Sequence, residues 1–283
     1  KYEKIYFHSK VLEKVLKKIK PKIVFLTCYY NDMSLATILA CKKLNIKTVD
    51  IQHGGFEPAH LMYKYWQKSE IKKVFELLPN FFWVWKKEHL LDSFFKQNKN
   101  HTIIEGGKLV IQKIEKIIKD SQHNLSIQDK YFIKLLKKYE RTILFCATSE
   151  LPKCLIEAIK LSQKNKKWMW MIRLHPRHSN YRILKETLVK EKILLKNVKI
   201  EKPSKLNLYL IINNSSHVLI DQSSVGLDAS YLKKPVISLT NQKKLFKSWD
   251  AMNLCHFTNN PSTIIKLIKN VKKNKCTNPI NYN

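Results

Sequence analysis

Two polar turns hold most of the residue types in this chain that could do chemistry. The first lies in Ser215–Ser238, SSHVLIDQSSVGLDASYLKKPVIS, which reads as strand, turn, helix and strand. His217–Ile220 is too short and too β-branched for a helix. Asp221, Ser223 and Ser224 then supply the acidic and hydroxyl groups that start one. A strand feeding a helix through a serine pair presents two hydroxyls and free backbone N–H groups at a positive helix end, which suits an anion. Asp228 follows one helical turn later, placed for a cap or a ribose contact. The second turn ends the run Met171–His178, MIRLHPRH. Pro176 cannot continue a strand ladder, so His175 is left at a strand tip. Arg173 and Arg177 flank it and could neutralise phosphate charge. Either turn alone is also what capping and strand ending require. Their occurrence in neighbouring strand–helix units points to a pocket for a nucleotide phosphate.

A third group sits in the first half, where Ile46–Ile51 reads as a strand running into Gln52-His53-Gly54-Gly55. Glycines permit close backbone approach to a ligand, and a histidine there could take a proton from an acceptor hydroxyl. Asp50 and Glu57 are rival bases. Ligands of open parallel sheets gather beyond the carboxyl ends of the strands. Thr148, Ser149 and Glu201 occupy such positions as well. No HExxH, P-loop, GxGxxG or G-x-S-x-G pattern occurs, so zincin, NTPase, dinucleotide and hydrolase-elbow chemistry lack their anchors. No DxD lies between apolar runs, and neither a metal nor a cofactor is expected.

These residues need strands that alternate with helices. Lys22–Cys28, Ile46–Ile51, Phe81–Trp85 and Thr102–Glu105 read as strands in the first half, with helices before Pro21, over Asn31–Leu44 and from Lys86. Leu109–Lys138 is helical and highly charged, with a polar break at Asp120–Gln128, and reads as a connector. A second series of strands follows at Thr142–Ala147, Trp168–Leu174, Val198–Glu201, His217 and Val236, with helices from Leu151, over Tyr181–Lys190 and Lys205–Ile212, and at Pro261–Val271. Lys272–Asn283 reads as a frayed basic tail. The pattern predicts an α/β chain with two Rossmann-like domains facing across a cleft, residues 1–125 on the acceptor side and 126–283 on the nucleotide side. The first half offers fewer strands and the chain begins at Lys1, so an incomplete N-terminal domain is expected.

Of the 283 residues, 53 are Lys or Arg and 22 are Asp or Glu, a formal charge of +31. Either solvated lysine faces or an anionic partner accounts for this. With no zinc-knuckle spacing, RNP-type strand or reading helix, no nucleic acid is expected, and an anionic membrane surface fits better. No apolar run reaches the roughly 20 residues that span a bilayer. The six cysteines form no CxxC pair, as for free thiols in a reducing cytosol, with Cys28 and Cys146 inside apolar strand runs.

In the order QHGG, RLHPRH and DQSSVGLDASYLKKPVI, the chain resembles GT-B fold transferases that build bacterial surface polysaccharides. One similar branch is the sialyltransferase and Kdo-transferase group, with His-Pro and Ser-Ser motifs for a CMP-sugar. The other is the CDP-glycerol glycerophosphotransferase family, with His-Gly, His-Pro and Asp-x-Ser-Ser motifs. The resemblance implies that His175 meets the donor phosphate or ribose, Ser223 and Ser224 hold the phosphates, Glu201 lies where the cytidine or ribose is gripped, and His53 acts as base. Gln222 and Gly55 depart from the glycerophosphotransferase pattern. It implies a metal-independent glycosyltransferase, cytoplasmic and peripheral at the inner membrane, moving sugar from a nucleotide-sugar donor to a glycan or lipid-linked acceptor of a capsule or lipooligosaccharide. A CDP-polyol phosphotransferase is the alternative on the same fold, and a non-catalytic binder of polyanions or nucleic acid the alternative outside it.

Overall fold

The computed structural model describes residues 2–54, 61–63, 77–85, 101–147, 150–176, 180–221, 223–240 and 255–270. They form two compact units divided between Leu109 and Val110. Each is an α/β unit on an all-parallel sheet, as the alternating pattern predicts. The charged segment expected to be a connector belongs to the second unit.

In the first unit, β1 (Ile23–Leu26), β2 (Lys47–Ile51), β3 (Phe81–Val84) and β4 (Thr102–Glu105) lie side by side in chain order. Helix α1 (Tyr2–Ile19) turns Ile5, Ser9 and Leu16, spaced to share one helical face, into the interior and packs on α2 (Asp32–Lys43). Asn31 starts α2, its side chain accepting from the Ser34 N–H at 2.8 Å. Past β4, Gly106 is sterically required, because a Cβ there would lie 2.1 Å from the Trp83 ring.

In the second unit the order is β10-β9-β8-β5-β6-β7, made of β5 (Arg141–Cys146), β6 (Trp168–Arg173), β7 (Val198–Lys199), β8 (His217–Ile220), β9 (Val236–Ser238) and β10 (His256–Phe257). The helices here are α3 (Ile114–His123), α4 (Ile127–Leu136), α5 (Lys153–Ser162), α6 (Tyr181–Lys190), α7 (Glu201–Lys205), α8 (Leu208–Asn213), α9 (Val225–Tyr231) and α10 (Pro261–Asn270). Ile143, Phe145, Trp168, Trp170, Ile172, Leu219 and Ile237 form one core with Leu155, Ile159, Ile264 and Ile268 from α5 and α10. The expected strand Val198–Glu201 stops at Lys199, and the helix expected over Lys205–Ile212 begins at Leu208 as α8, with the short α7 before it. Asn207 divides them, its side chain accepting from Tyr209 N–H at 2.9 Å and Leu210 N–H at 3.3 Å. The short β10 has no counterpart in the sequence reading.

Each unit contains a buried polar clamp. In the second, Thr142 on β5 and Ser216 just before β8 bond reciprocally. Thr142 N–H donates to Ser216 Oγ at 2.9 Å, Ser216 N–H donates to Thr142 Oγ1 at 3.0 Å, and Ser216 O–H donates to the Thr142 carbonyl at 3.0 Å. In the first, Asp50 on β2 is 1% exposed. Its Oδ1 accepts from Tyr29 N–H at 3.1 Å and its Oδ2 from Tyr63 O–H at 2.7 Å. Burial outweighs both bonds and pushes the carboxyl up to about 6 from an ordinary 3.8.

Ser216→Ala strips the buried Thr142 N–H of a partner and is expected to cost about 1–3 kcal/mol, read as a lower urea midpoint with an unchanged slope. Because the folded chain holds the Asp50 proton more tightly than the unfolded chain, this group's stabilisation is complete below pH 3.8 and lost as pH rises through about 6. A shift of roughly two units corresponds to about 3 kcal/mol. Urea midpoints of Asp50→Asn relative to the parent chain should therefore shift in favour of Asn between about pH 4 and 7, by up to that amount. A difference between the two chains that does not change with pH would contradict the buried-carboxyl account.

Candidate functional site

The second sheet reverses direction between β5 and β8: β6 and β7 extend it on one side, β9 and β10 on the other. A crevice beyond the carboxyl ends of two such strands is where open α/β sheets hold ligands. Asp221, Ser223 and Ser224 stand at that point, directly after β8, with Gln222 outside the described residues. Asp221, Ser223 and Ser224 are all half-buried, so each is accessible from outside. Burial raises the Asp221 carboxyl. Ser223 Oγ accepts from Val225 N–H at 3.3 Å, and its carbonyl accepts from Gly226 N–H at 3.2 Å. Ser224 occupies the cap position of α9 with helical angles and makes no side-chain cap bond. The serine that capping statistics would spend on the helix thus keeps its hydroxyl out of the helix start.

Next along this edge, β6 ends at Arg173, followed by exposed His175. The Arg173 guanidinium is already engaged: Nη1 donates to the carbonyls of Pro203 at 2.5 Å and Leu206 at 2.6 Å. Leu174 N–H donates to Ser204 Oγ at 3.0 Å. Arg173 therefore ties α7 and the start of α8 to the β6 tip, and only its remaining N–H groups could face a phosphate. Glu201 departs further from expectation. It opens α7, lies exposed and pairs with Lys205 at 2.7 Å, which holds its carboxyl below the usual range. It also stands beyond β7, three strands from β8, roughly 14 Å across the sheet. Asp228 is 5% exposed inside α9 and near enough to Cys146 and Tyr209 to raise both, so it faces the interior under β5. Thr148, Ser149 and Arg177 lie outside the described residues. Cavities beside Trp168 and Lys166 open at the amino-terminal end of β6, opposite the polar edge.

The first unit gathers its own cluster at the carboxyl ends of β1 and β2. Asp50, expected as a base beside His53, lies within β2, buried and bonded by Tyr29 and Tyr63. It holds the tyrosines in place. Rings of Tyr29, Tyr30, Tyr63 and Phe82 meet edge to face with centroids 5.4–6.1 Å apart. His53 is exposed, beyond the strand end, as expected. Gly54 beside it would meet nothing within 4 Å of an added Cβ, so the glycine leaves open space there. Gly55 and Glu57 lie outside the described residues.

Two residues make contacts that the sequence did not reveal. Gln52 is 4% exposed and braces the His53 loop: its Nε2 donates to the Gly54 carbonyl at 2.8 Å and its Oε1 accepts from Trp85 N–H at 2.7 Å. Cys28, expected inside a strand, lies in the turn after β1, with Sγ 3.1 Å from Nε2 of His53. Only its distance to the QHGG motif in sequence concealed it. Among the described residues no group of three or more His, Cys, Asp or Glu is placed to hold a metal ion.

No family model and no curated protein matches the sequence. Solved structures do match the fold. A Listeria monocytogenes protein assigned as a UDP-N-acetylglucosamine 2-epimerase aligns at TM-score 0.69 and 14% identity, over 94% of this chain and 71% of its own. The Neisseria meningitidis UDP-GlcNAc 2-epimerase bound to UDP-GlcNAc gives 0.66 and 18%, over 94% and 71%. The Methanocaldococcus jannaschii UDP-GlcNAc 2-epimerase in complex with UDP-GlcNAc and UDP gives 0.65 and 19%, over 96% and 76%. At these identities the likeness is one of fold: two parallel α/β units of the GT-B-like type.

Proposed function

We propose that the chain is an enzyme acting on a nucleotide-linked sugar, and that its second unit holds the nucleotide's phosphates. The observation that carries this is the position of the Asp221–Ser224 turn at the reversal between β5 and β8. His175 stands at the end of β6, the next strand but one. The two serine hydroxyls and the imidazole together supply donors for phosphate oxygens. In the finer reading the reaction is glycosyl transfer to a hydroxyl of a surface glycan, with His53 as base. Cys28 Sγ lies beside that imidazole, 3.1 Å from Nε2. Excess lysine, within a charge of +31, keeps the enzyme at anionic lipid, and no helix among the described residues is long and apolar enough to cross a membrane.

Calorimetric titration with UDP, CDP and CMP tests the donor site. One nucleotide should bind and raise the melting temperature. Ser223→Ala/Ser224→Ala and His175→Ala should each weaken it about tenfold or more, as expected for lost bonds to a charged group. Binding that survives all three changes would move the site elsewhere. Product analysis then separates transfer, which needs an added acceptor, from reactions confined to the donor. Separately, sedimentation with phosphatidylglycerol vesicles should capture the chain at low salt and lose it near about 0.5 M.

A further inference from the structure

We propose that Cys28 and His53 form a thiol–imidazole pair that makes Cys28 a reactive thiol of this chain, open to oxidation by a hydroperoxide. The two residues come from different turns. Leu26 of β1 pairs with Asp50 of β2, so the turns two and three residues further on emerge over the same end of the sheet. There Sγ lies 3.1 Å from Nε2 and 3.7 Å from Nδ1 of His53. Tyr30 lies near the same sulfur, and burial together with the cysteine keeps that phenol protonated. The thiol therefore has an imidazole to take its proton and a phenolic donor to hold the resulting thiolate, the arrangement that activates a nucleophilic cysteine. The turn itself is held firmly: Cys28 has φ of 57°, and both the backbone N–H and the side-chain amide of Asn31 donate to its carbonyl, at 3.1 and 3.0 Å.

Cys41, Cys146 and Cys154 have different surroundings. Cys41 and Cys146 are buried, which pushes their thiols up to about 11 and about 12. Cys154, half-buried on α5, is also raised by burial. Cys28 is half-buried, and its contact with His53 is open to solvent. In the reaction, His53 Nε2 takes the thiol proton and the sulfur attacks one peroxide oxygen. The O–O bond breaks and the departing oxygen takes the proton as water or an alcohol. Sulfur loses two electrons to become a sulfenic acid (RSH + R′OOH → RSOH + R′OH). The new S–O group then stands against the nitrogen that the proposed base would use.

The test uses the intact chain and does not depend on nucleotide binding, so it can succeed where the donor-site titration fails. Timed alkylation with iodoacetamide at neutral pH, read by peptide mass spectrometry, should label Cys28 about tenfold or more faster than Cys154. Hydrogen peroxide followed by dimedone should place the sulfenate adduct on Cys28, and Cys28→Ser should remove it. His53→Gln, folding checked by circular dichroism, should slow Cys28 alkylation about fivefold or more. Tyr30→Phe provides a second variant with a smaller slowing in the same direction. Equal rates for Cys28 and Cys154, or a Cys28 rate unchanged in both variants, would overturn the pair.

Discussion

Parallel strand pairing is the constraint from which the rest of this structure follows. Every strand pair among the described residues is parallel. Parallel neighbours cannot be joined by a tight hairpin, so each crossover must run back along a face of the sheet, usually as a helix. Strands covered in this way become apolar on both sides, as in Thr142–Cys146 and Trp168–Ile172, every residue of which is buried. Polar groups are expelled to the strand ends, and the carboxyl ends of one sheet all point one way. Chemistry collects there because the interior excludes it.

Several polar residues that stay inside are bonded to one another, and they lock register. Thr142 and Ser216 satisfy each other where β5 and β8 begin their shared ladder. Thr48 and Asn80 do the same between β2 and β3, with Thr48 N–H donating to Asn80 Oδ1 at 2.9 Å. Asp50 differs, since a carboxyl is costlier to bury than a hydroxyl and its two donors do not cancel the desolvation. That uncompensated cost is concentrated beside the two turns that present Cys28 and His53. Gln52 adds stiffness from the other side through Trp85.

Fold class, most strand positions and the polar turns were legible in the sequence because parallel sheets write short apolar runs that end in Ser, Asp, His or Gly. His217–Ile220, which runs into Asp221, and Val236–Ser238, which ends in serine, are of this kind. The β7 end was misread because Pro203 and Asn207, local backbone chemistry rather than hydrophobic period, decide where strand gives way to helix. The site was less legible, since residue type does not tell where a side chain turns. Arg173 looked like a phosphate ligand and is occupied by the Pro203 and Leu206 carbonyls. Asp50 looked like a base and is enclosed. Cys28 looked like a core thiol, and only the placement of β1 beside β2 brings it to His53.

Strand order also governs when each unit can exist during synthesis. In the first sheet each strand docks beside the one made just before it, so that unit can grow as its chain emerges. In the second, β5 has β8 as a permanent neighbour, and Thr142 must wait for Ser216, 74 residues later. At about 5–20 residues per second that delay is roughly 4–15 s. Throughout it β5 has an apolar, unpaired edge, the kind of surface that holding chaperones cover. The serine turn after β8 arrives with the strand that ends this exposure, so the nascent chain acquires that polar edge only after its most vulnerable interval has passed.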